Sequence, residues 1–156
     1  MFIQSPFGVK SPLAWLQFRP IAAYKTLVAV PRKNSLAKKS VIPLRELKPM
    51  FFIGMSEQSY PGYRRWLTRT CRKVGFSPKV LQDVDIERAV IQAVAAGLGV
   101  ALLPEQVKRL PHEDVVFREL RPAVKTESCI AWKPDNPSVA LKAYVNIVGD
   151  RGIRMR

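Results

Sequence analysis

The stretch Ile91–Val107, IQAVAAGLGVALLPEQV, constrains the fold more than any other part of the chain. It begins like the end of an amphipathic helix, passes through two glycines, and becomes an unbroken apolar run that stops at Pro104. Gly97 suits the left-handed backbone that ends a helix, and Gly99 allows another backbone to approach closely. Because continuous apolar strands lie in sheets that are covered on both faces, we predict a helix, a tight turn and a buried strand.

Strands and helices alternate along the rest of the chain. Short β-branched and apolar runs predict strands, and amphipathic or capped segments predict helices. The predicted strands are 24–31, 50–55, 79–85, 100–104, 115–120 and 127–134, with a strand-like segment at 15–24. The predicted helices are 44–47, 63–74, 86–96, 105–110 and 137–148, the last of them capped by Ser138. This alternation is typical of βαβ units, so we predict an α/β fold with a mainly parallel sheet flanked by helices.

The two long central helices have apolar faces with helical spacing. The face of the first comprises Tyr63, Leu67, Thr70, Cys71 and Val74. The basic residues turned away from it are Arg64, Arg65, Arg69, Arg72 and Lys73. The predicted buried positions of the second helix are 86, 89, 90, 93 and 94. Asp85 can cap this second helix, and Gly75 suits the end of the first.

The composition limits the partners and the location of the protein. Hydrophobic residues make up 47% of the 156 residues, and no apolar run approaches the ~20 residues that a membrane helix needs. The amino terminus lacks a signal-peptide pattern, so we expect a cytoplasmic protein without membrane contact. The formal net charge of +14 favours anionic partners, either nucleic acid or small carboxylates and phosphates.

Motifs for catalysis and metal binding are absent from the sequence. It contains no GxSxG, Walker, GxGxxG or HExxH pattern, so we expect neither an enzyme nor a cofactor. Cys71 and Cys129 lie far apart, and the single histidine, His112, cannot complete a zinc site with them. We expect both cysteines to be reduced and buried, and His112 to be a surface residue.

Five segments, taken in order, resemble one protein family. They are YKTLVAVPRKNSLAKKSVIPLREL at 24–47, GFSP at 75–78, VAAGLGVALLPEQV at 94–107, VVFREL at 115–120 and IAWKPDNPS at 130–138. Their order and spacing look like the effector-binding region of LysR-type transcriptional regulators, over about residues 20–148. The resemblance implies a periplasmic-binding-protein-like fold of type II, in which crossing strands join two α/β lobes and a small effector binds in the cleft between them.

The resemblance also implies a division of the chain. Residues 24–113 would form a crossing strand and a complete second lobe, and residues 114–148 the closing strands and helix of the first lobe. Residues 1–23 match the family poorly, and residues 149–156 form a basic tail. The family's winged helix-turn-helix, linker helix and opening units of the first lobe do not appear, so the domain looks truncated.

A truncated first lobe would leave the strands at 115–120 and 127–134 without sheet neighbours. Unpaired strand edges and exposed apolar faces promote association with other chains. We therefore expect either self-association into a homo-oligomer or disorder in residues 1–20 and after 148.

Two strand-to-helix junctions, 54–60 and 84–86, are the candidate ligand site, and both face the cleft by resemblance. In open α/β sheets, ligands bind at the carboxyl ends of strands, where helix amides favour anions. The candidate ligand-binding residues are Phe52, Met55, Ser56, Gln58, Ser59, Tyr60, Asp85, Ile86 and Arg32. Structural roles stay open for several of them: Phe52 in the core, Ser59 at a helix start, Asp85 as a cap and Arg32 on a solvated face.

The resemblance and the charge together favour a ligand-sensing module of a transcriptional regulator. We expect it to bind a small anionic effector and to reach DNA only through domains that lie outside this chain. The alternative is a small basic nucleic-acid-binding protein that uses the arginine-rich face of the helix at 63–74. A third hypothesis, a small enzyme on an α/β scaffold, lacks a motif to support it.

Overall fold

The structure is a computed structural model that describes residues 2–4 and 15–150. Its strands are β1 (Phe2–Gln4), β2 (Gln17–Pro31), β3 (Val41–Pro43), β4 (Phe51–Met55), β5 (Lys79–Val84), β6 (Ala101–Pro104) and β7 (Val115–Trp132). Its α-helices are α1 (Tyr63–Arg72), α2 (Glu87–Ala95) and α3 (Val139–Asp150). Short 3-10 helices span Ser35–Lys38, Leu44–Leu47 and Glu105–Arg109. The predicted alternation of strands and helices is confirmed.

In the described residues, β1, β7, β2, β6 and β3 form a mixed sheet, and β4 and β5 form a two-stranded parallel sheet beside it. β4 lies parallel to β5, and a parallel bridge between Phe52 and Val100 joins β4 to the start of β6. The Ile53 amide donates to the Val100 carbonyl (2.8 Å), which closes this bridge. β6 pairs antiparallel with β2, β2 pairs antiparallel with β7, and β3 lies parallel to β7. The α/β class is confirmed, but the longest pairing, between β2 and β7, is antiparallel rather than parallel as predicted.

β7 is one strand where the sequence predicted two. The segments 115–120 and 127–134 are joined through residues 121–126 into a strand that ends at Trp132. Residues 120–123 face no partner in β2, because Leu27 pairs with Glu119 and Thr26 already pairs with Val124. Leu120 and Arg121 pair with β3 instead, and Pro122 cannot donate a ladder hydrogen bond, so the ladder with β2 is interrupted between the two predicted strands.

The outer part of β7 is paired on both sides within the chain. Gln17–Thr26 of β2 pairs with Val124–Trp132, and β1 pairs with Ser128–Ile130 along the other side. The strand-like segment at 15–24 therefore continues into β2, as the sequence suggested. The expectation that the closing strands lack sheet neighbours is wrong.

The predicted disorder at the chain ends has a mixed outcome. Residues 17–20 belong to β2, and residues 149–150 belong to α3, so the prediction is wrong at those positions. The same prediction for residues 1, 5–14 and 151–156 lies outside the described residues.

The core lies between the sheet and the helices α1 and α2. On α1 the predicted apolar face is buried apart from the half-buried Val74, and it also includes Trp66, which was not predicted. On α2, Ile91 is buried, whereas Ile86 is 57% exposed. The prediction for Ile86 is wrong because α2 begins one residue later, and Ile86 is its N-cap with extended backbone.

Glycines end the helices and permit one close backbone approach. Gly75 follows α1 with a φ of 89°, and Gly97 follows α2 with a φ of 80°, both in the left-handed region. A Cβ atom added to Gly99 would lie 2.5 Å from the carbonyl oxygen of Phe51. The close approach predicted at Gly99 is therefore confirmed, and it brings the start of β6 against β4.

Candidate functional site

Two loops meet at the carboxyl ends of β4 and β5. Met55 ends β4 and Val84 ends β5, and the Ser56 amide donates to the Val84 carbonyl (3.0 Å). The loop that follows β4 leads into α1, and the loop that follows β5 leads into α2. The two predicted junctions therefore lie side by side at one edge of the sheet, which we call the carboxyl edge.

Hydroxyl groups from the first loop bind a carboxylate from the second. Ser56 Oγ donates to Asp85 Oδ1 (2.5 Å), and Ser59 Oγ lies 3.4 Å from the same oxygen. The Ser59 amide also donates to Ser56 Oγ (3.3 Å). Asp85 was predicted as a possible cap of α2, but that N-cap is Ile86 and has no side-chain capping bond. Asp85 does not cap α2 because its carboxylate faces Ser59 and Ser56, which lie 26 and 29 residues earlier in the chain.

Glu57, which is not among the predicted site residues, binds the backbone amides at the start of α1. The Glu57 carboxylate accepts hydrogen bonds from the Gly62 amide (2.7 Å) and the Arg64 amide (2.9 Å). Free amides at a helix start attract anions, and here the chain supplies its own. The signal was present in the sequence, because an acidic residue shortly before a helix is favoured there.

Tyr60 connects the first loop to α2. Its hydroxyl hydrogen-bonds the Glu87 carboxylate, and burial together with this negative charge raises the pKa of Tyr60 well above its ordinary value. The phenol is therefore protonated at neutral pH and serves as a hydrogen-bond donor. Gln58 lies exposed on the same loop, and Met55, at the end of β4, is buried.

Two predicted site residues do not join this group. Phe52 is fully buried and packs against Phe76 with ring centroids 6.3 Å apart, so it belongs to the core. Arg32 follows β2 at the end where Pro31 pairs with Val115. The carboxyl ends of β4 and β6 lie at the opposite end of the segment Thr26–Pro31, where Thr26 pairs with Pro104, the last residue of β6. Arg32 is therefore at the opposite edge of the sheet, where its side chain donates to the Glu113 carbonyl.

Four of the predicted site residues join one polar group with two residues that were not predicted, Glu57 and Glu87, whereas Met55, Gln58 and Ile86 lie outside it; we call this group the carboxyl-edge cluster. It comprises Ser56, Glu57, Ser59, Tyr60, Asp85 and Glu87. Three of its members are carboxylates, and Arg64, at the start of α1, directs its guanidinium to Asp83 on β5. The cluster as it stands is rich in hydrogen-bond acceptors, so a ligand that donates hydrogen bonds is better suited to it than a bare anion.

The basic face of α1 is exposed, as predicted. Arg64, Arg65, Arg69, Arg72 and Lys73 line an open groove of about 730 Å³ together with Glu57 and Thr68. The groove runs along the side of α1 that faces away from the core. It is the surface on which the nucleic-acid alternative depends.

Side chains with chemical reactivity are held in structural positions. Cys71 and Cys129 are buried thiols, as predicted. His112 is half-buried with its ring edge-to-face against Phe117 (5.0 Å), so it packs more closely than the surface position expected. Among the described residues, no group of three or more His, Cys, Asp or Glu side chains could hold a metal ion. Within residues 15–150, no helix is long and apolar enough to cross a membrane.

The Cys71 thiol should be almost unreactive in the native protein. Burial raises the pKa of Cys71 from 9.0 to about 12, and only the thiolate reacts with alkylating agents. At pH 8 its thiolate fraction should be about a thousandfold below that of an ordinary thiol. We expect iodoacetamide to modify Cys71 much more slowly in native than in guanidinium-unfolded protein, measured by mass spectrometry of the Cys71 peptide. Equal rates in the two states would contradict this burial.

The comparisons with known proteins identify the family. The LysR substrate binding domain matches residues 7–152. The transcriptional regulator XapR of Escherichia coli K12 is 30% identical over 117 residues, which cover 74% of this chain and 38% of XapR. A second regulator, AlsR of Bacillus subtilis 168, is 26% identical over 78% of this chain and 40% of its own length. The chain belongs to the LysR substrate-binding domain family, and it spans about two-fifths of the length of these relatives.

Solved structures support the same fold. The regulatory domain of Synechocystis PCC6803 CcmR, in complex with 2-PG, aligns with a TM-score of 0.74 at 20% identity, over 99% of this chain and 73% of that domain. The effector binding domain of QuiR, in complex with shikimate, aligns with a TM-score of 0.75 at 20% identity, over 90% of this chain and 68% of that domain. The periplasmic-binding-protein-like fold implied by the sequence resemblance is confirmed.

Proposed function

We propose that this chain is an effector-sensing part of a LysR-type regulator and that the carboxyl-edge cluster binds its effector. The observation that carries the proposal is the meeting of two strand-to-helix loops, where Ser56, Ser59 and Tyr60 bring hydroxyl groups to Asp85 and Glu87. Ligands of α/β proteins bind at such strand ends. Gln58 and Ile86 are exposed beside the cluster and supply further contacts.

An effector that binds at this site has to replace hydrogen bonds that the chain makes within the cluster. A ligand hydroxyl or amine can replace the serine hydroxyls on Asp85, whereas a ligand carboxylate must displace Glu57 from the α1 amides. The small anionic effector that the overall charge predicts would bind by displacing Glu57 from the α1 amides. Shikimate, the ligand of QuiR, is a suitable first probe because it carries both hydroxyl groups and a carboxylate.

Signal output would depend on the rest of the regulator. Residues 24–113 would act as one lobe and residues 114–148 as part of the other, and a ligand that binds one arrangement of lobes more tightly would favour that arrangement. Homo-oligomerisation and DNA-binding domains outside this chain would convert the change into altered DNA binding in the cytoplasm. We expect no chemical turnover of the ligand.

The first test is a thermal and chemical stability screen with small ligands. Shikimate, other hydroxy acids, phosphates and neutral polyols are added at fixed salt, and unfolding is followed by fluorescence. A ligand at a hundred times its Kd should stabilise the native state by about 2.7 kcal/mol. We expect the double substitution S56A and S59A to abolish the stabilisation, and S40A, an exposed serine outside the cluster, to leave it unchanged. Equal stabilisation of the double variant would exclude the cluster as the site.

The exposed arginines of α1 make nucleic-acid binding the second candidate function. Phosphate contacts by several cations give an affinity that falls steeply with salt. Under this alternative, duplex DNA stabilises the protein at low salt, and R65Q combined with R72Q reduces both the affinity and its salt dependence. Stabilisation by DNA without stabilisation by any small molecule would favour this function over effector binding.

A further inference from the structure

A second cavity lies between α1 and the two long strands. Its volume is about 590 Å³, within the range that small-molecule sites occupy. Its lining comes from α1, from the start of the 3-10 helix at Leu44–Leu47, from the first residues of β2 and from the middle of β7. None of its lining residues belongs to the carboxyl-edge cluster. It is therefore a separate candidate for a binding site.

The cavity combines an apolar wall with cationic groups. Trp66 and Leu44 are buried at its wall, and β2 adds Phe18 and Pro20. The basic side chains at its rim are Arg69, Lys73 and Lys125, and they are opposed by one carboxylate, Glu127. Thr70, which is 8% exposed, places a hydroxyl among them. An apolar surface beside an excess of positive charge fits a molecule with a hydrophobic body and a negative group.

The two candidate sites differ in charge. The carboxyl-edge cluster contains three carboxylates, Glu57, Asp85 and Glu87, and its hydroxyl donors are bonded to two of them. The second cavity carries three cations and a single carboxylate. Cations therefore outnumber carboxylates around the second cavity, whereas carboxylates predominate in the cluster.

We propose that the cavity between α1 and the β2–β7 pair is a second ligand site, for a small organic anion with an apolar body such as an aromatic carboxylate. Arg69, in the last turn of α1, and Lys73, its C-cap, would bind the negative group, and Lys125 would approach it from β7. The ring would pack on the wall formed by Trp66 and Leu44. The proposal stands on this cavity and does not require the carboxyl-edge site.

The test is isothermal titration calorimetry of the whole chain with benzoate, with its neutral amide benzamide, and with inorganic phosphate. Benzoate should bind at least about tenfold more tightly than benzamide, which lacks the charge, and than phosphate, which lacks the ring. We expect R69Q combined with K73Q to weaken benzoate binding at least about tenfold. R72Q is the matched control, because Arg72 is exposed on the same helix and does not line the cavity.

Failure of this inference is distinguishable from failure of the proposed function. If R69Q combined with K73Q weakens benzoate binding while R72Q and S56A combined with S59A leave its affinity unchanged, the ligand occupies the second cavity and not the groove or the cluster, whatever shikimate does at the cluster. If S56A and S59A abolish benzoate binding while R69Q and K73Q do not, the second site is overturned and the cluster binds the anion. Binding of benzoate no tighter than that of benzamide also overturns the proposal. Circular dichroism of each variant checks that the fold is retained.

Discussion

Replacement of Phe52 by alanine should destabilise the native state by about 4 kcal/mol, because large-to-small changes in a core remove apolar burial and leave a cavity. Phe52 is fully buried in β4 and contacts Phe76 from the segment after α1. The loss of its ring would open space between the sheet and that segment. The measurement is guanidinium chloride denaturation followed by tryptophan fluorescence.

The neighbouring residue provides the control for this substitution. Phe51 lies in the same strand, but its side chain is 50% exposed because side chains alternate between the faces of a strand. F51A should therefore cost less than about 1.5 kcal/mol, since half of the ring is already in water. If F52A instead retained native stability and lost effector binding, Phe52 would be a ligand contact and not a core residue.

Introduction of a single methyl group at Gly99 is expected to cost about 3 kcal/mol, the upper part of the range for overpacking. The new Cβ atom would lie 2.5 Å from the Phe51 carbonyl oxygen, and this neighbour is backbone, which cannot rotate away. β4 and the start of β6 would have to separate, and the Val100 amide, which donates to the same carbonyl (2.9 Å), would lose its geometry. Denaturation by urea of G99A measures the effect.

Substitution of Gly97 is the control that distinguishes steric overlap from the general effect of replacing a glycine. Nothing lies within 4 Å of a Cβ added there, but its φ of 80° is unfavourable for alanine. G97A should therefore cost about 1 kcal/mol, which is the penalty of the left-handed conformation alone. A G99A variant no less stable than G97A would contradict the close approach of β4 and β6.

Local features of the fold were predictable because they depend on neighbours in the sequence. Ser138 caps α3, and its Oγ accepts a hydrogen bond from the Leu141 amide (3.2 Å), as the spacing predicted. Gly75 and Gly97 end their helices for the same kind of reason, since only a few adjacent residues decide the backbone conformation. Periodicity also identified the buried side of α1, with Trp66 as the omission.

The candidate site could be located but not described from the sequence. The rule that ligands bind at strand ends identified both loops, and the structure places them side by side. The bonds from Ser56 and Ser59 to Asp85 join residues in different loops, so no local pattern reports them. The same limit applies to β7, because nothing adjacent in the sequence shows that the two predicted strands, 115–120 and 127–134, pair with the single strand β2.

The pairing of β2 with β7 also sets an order for the folding of the nascent chain. β2 is synthesised before β7, and Gln17 pairs with Trp132, so most of the ladder has to wait until β7 has left the ribosome. The units between them, from β4 through α2 to β6, make contacts over much shorter spans and can form first. Closure of such a long loop carries a large entropic cost, so joining of the two long strands should be the slow step. A chain stopped before β7 would keep its βαβ units and leave β2 without its longest partner.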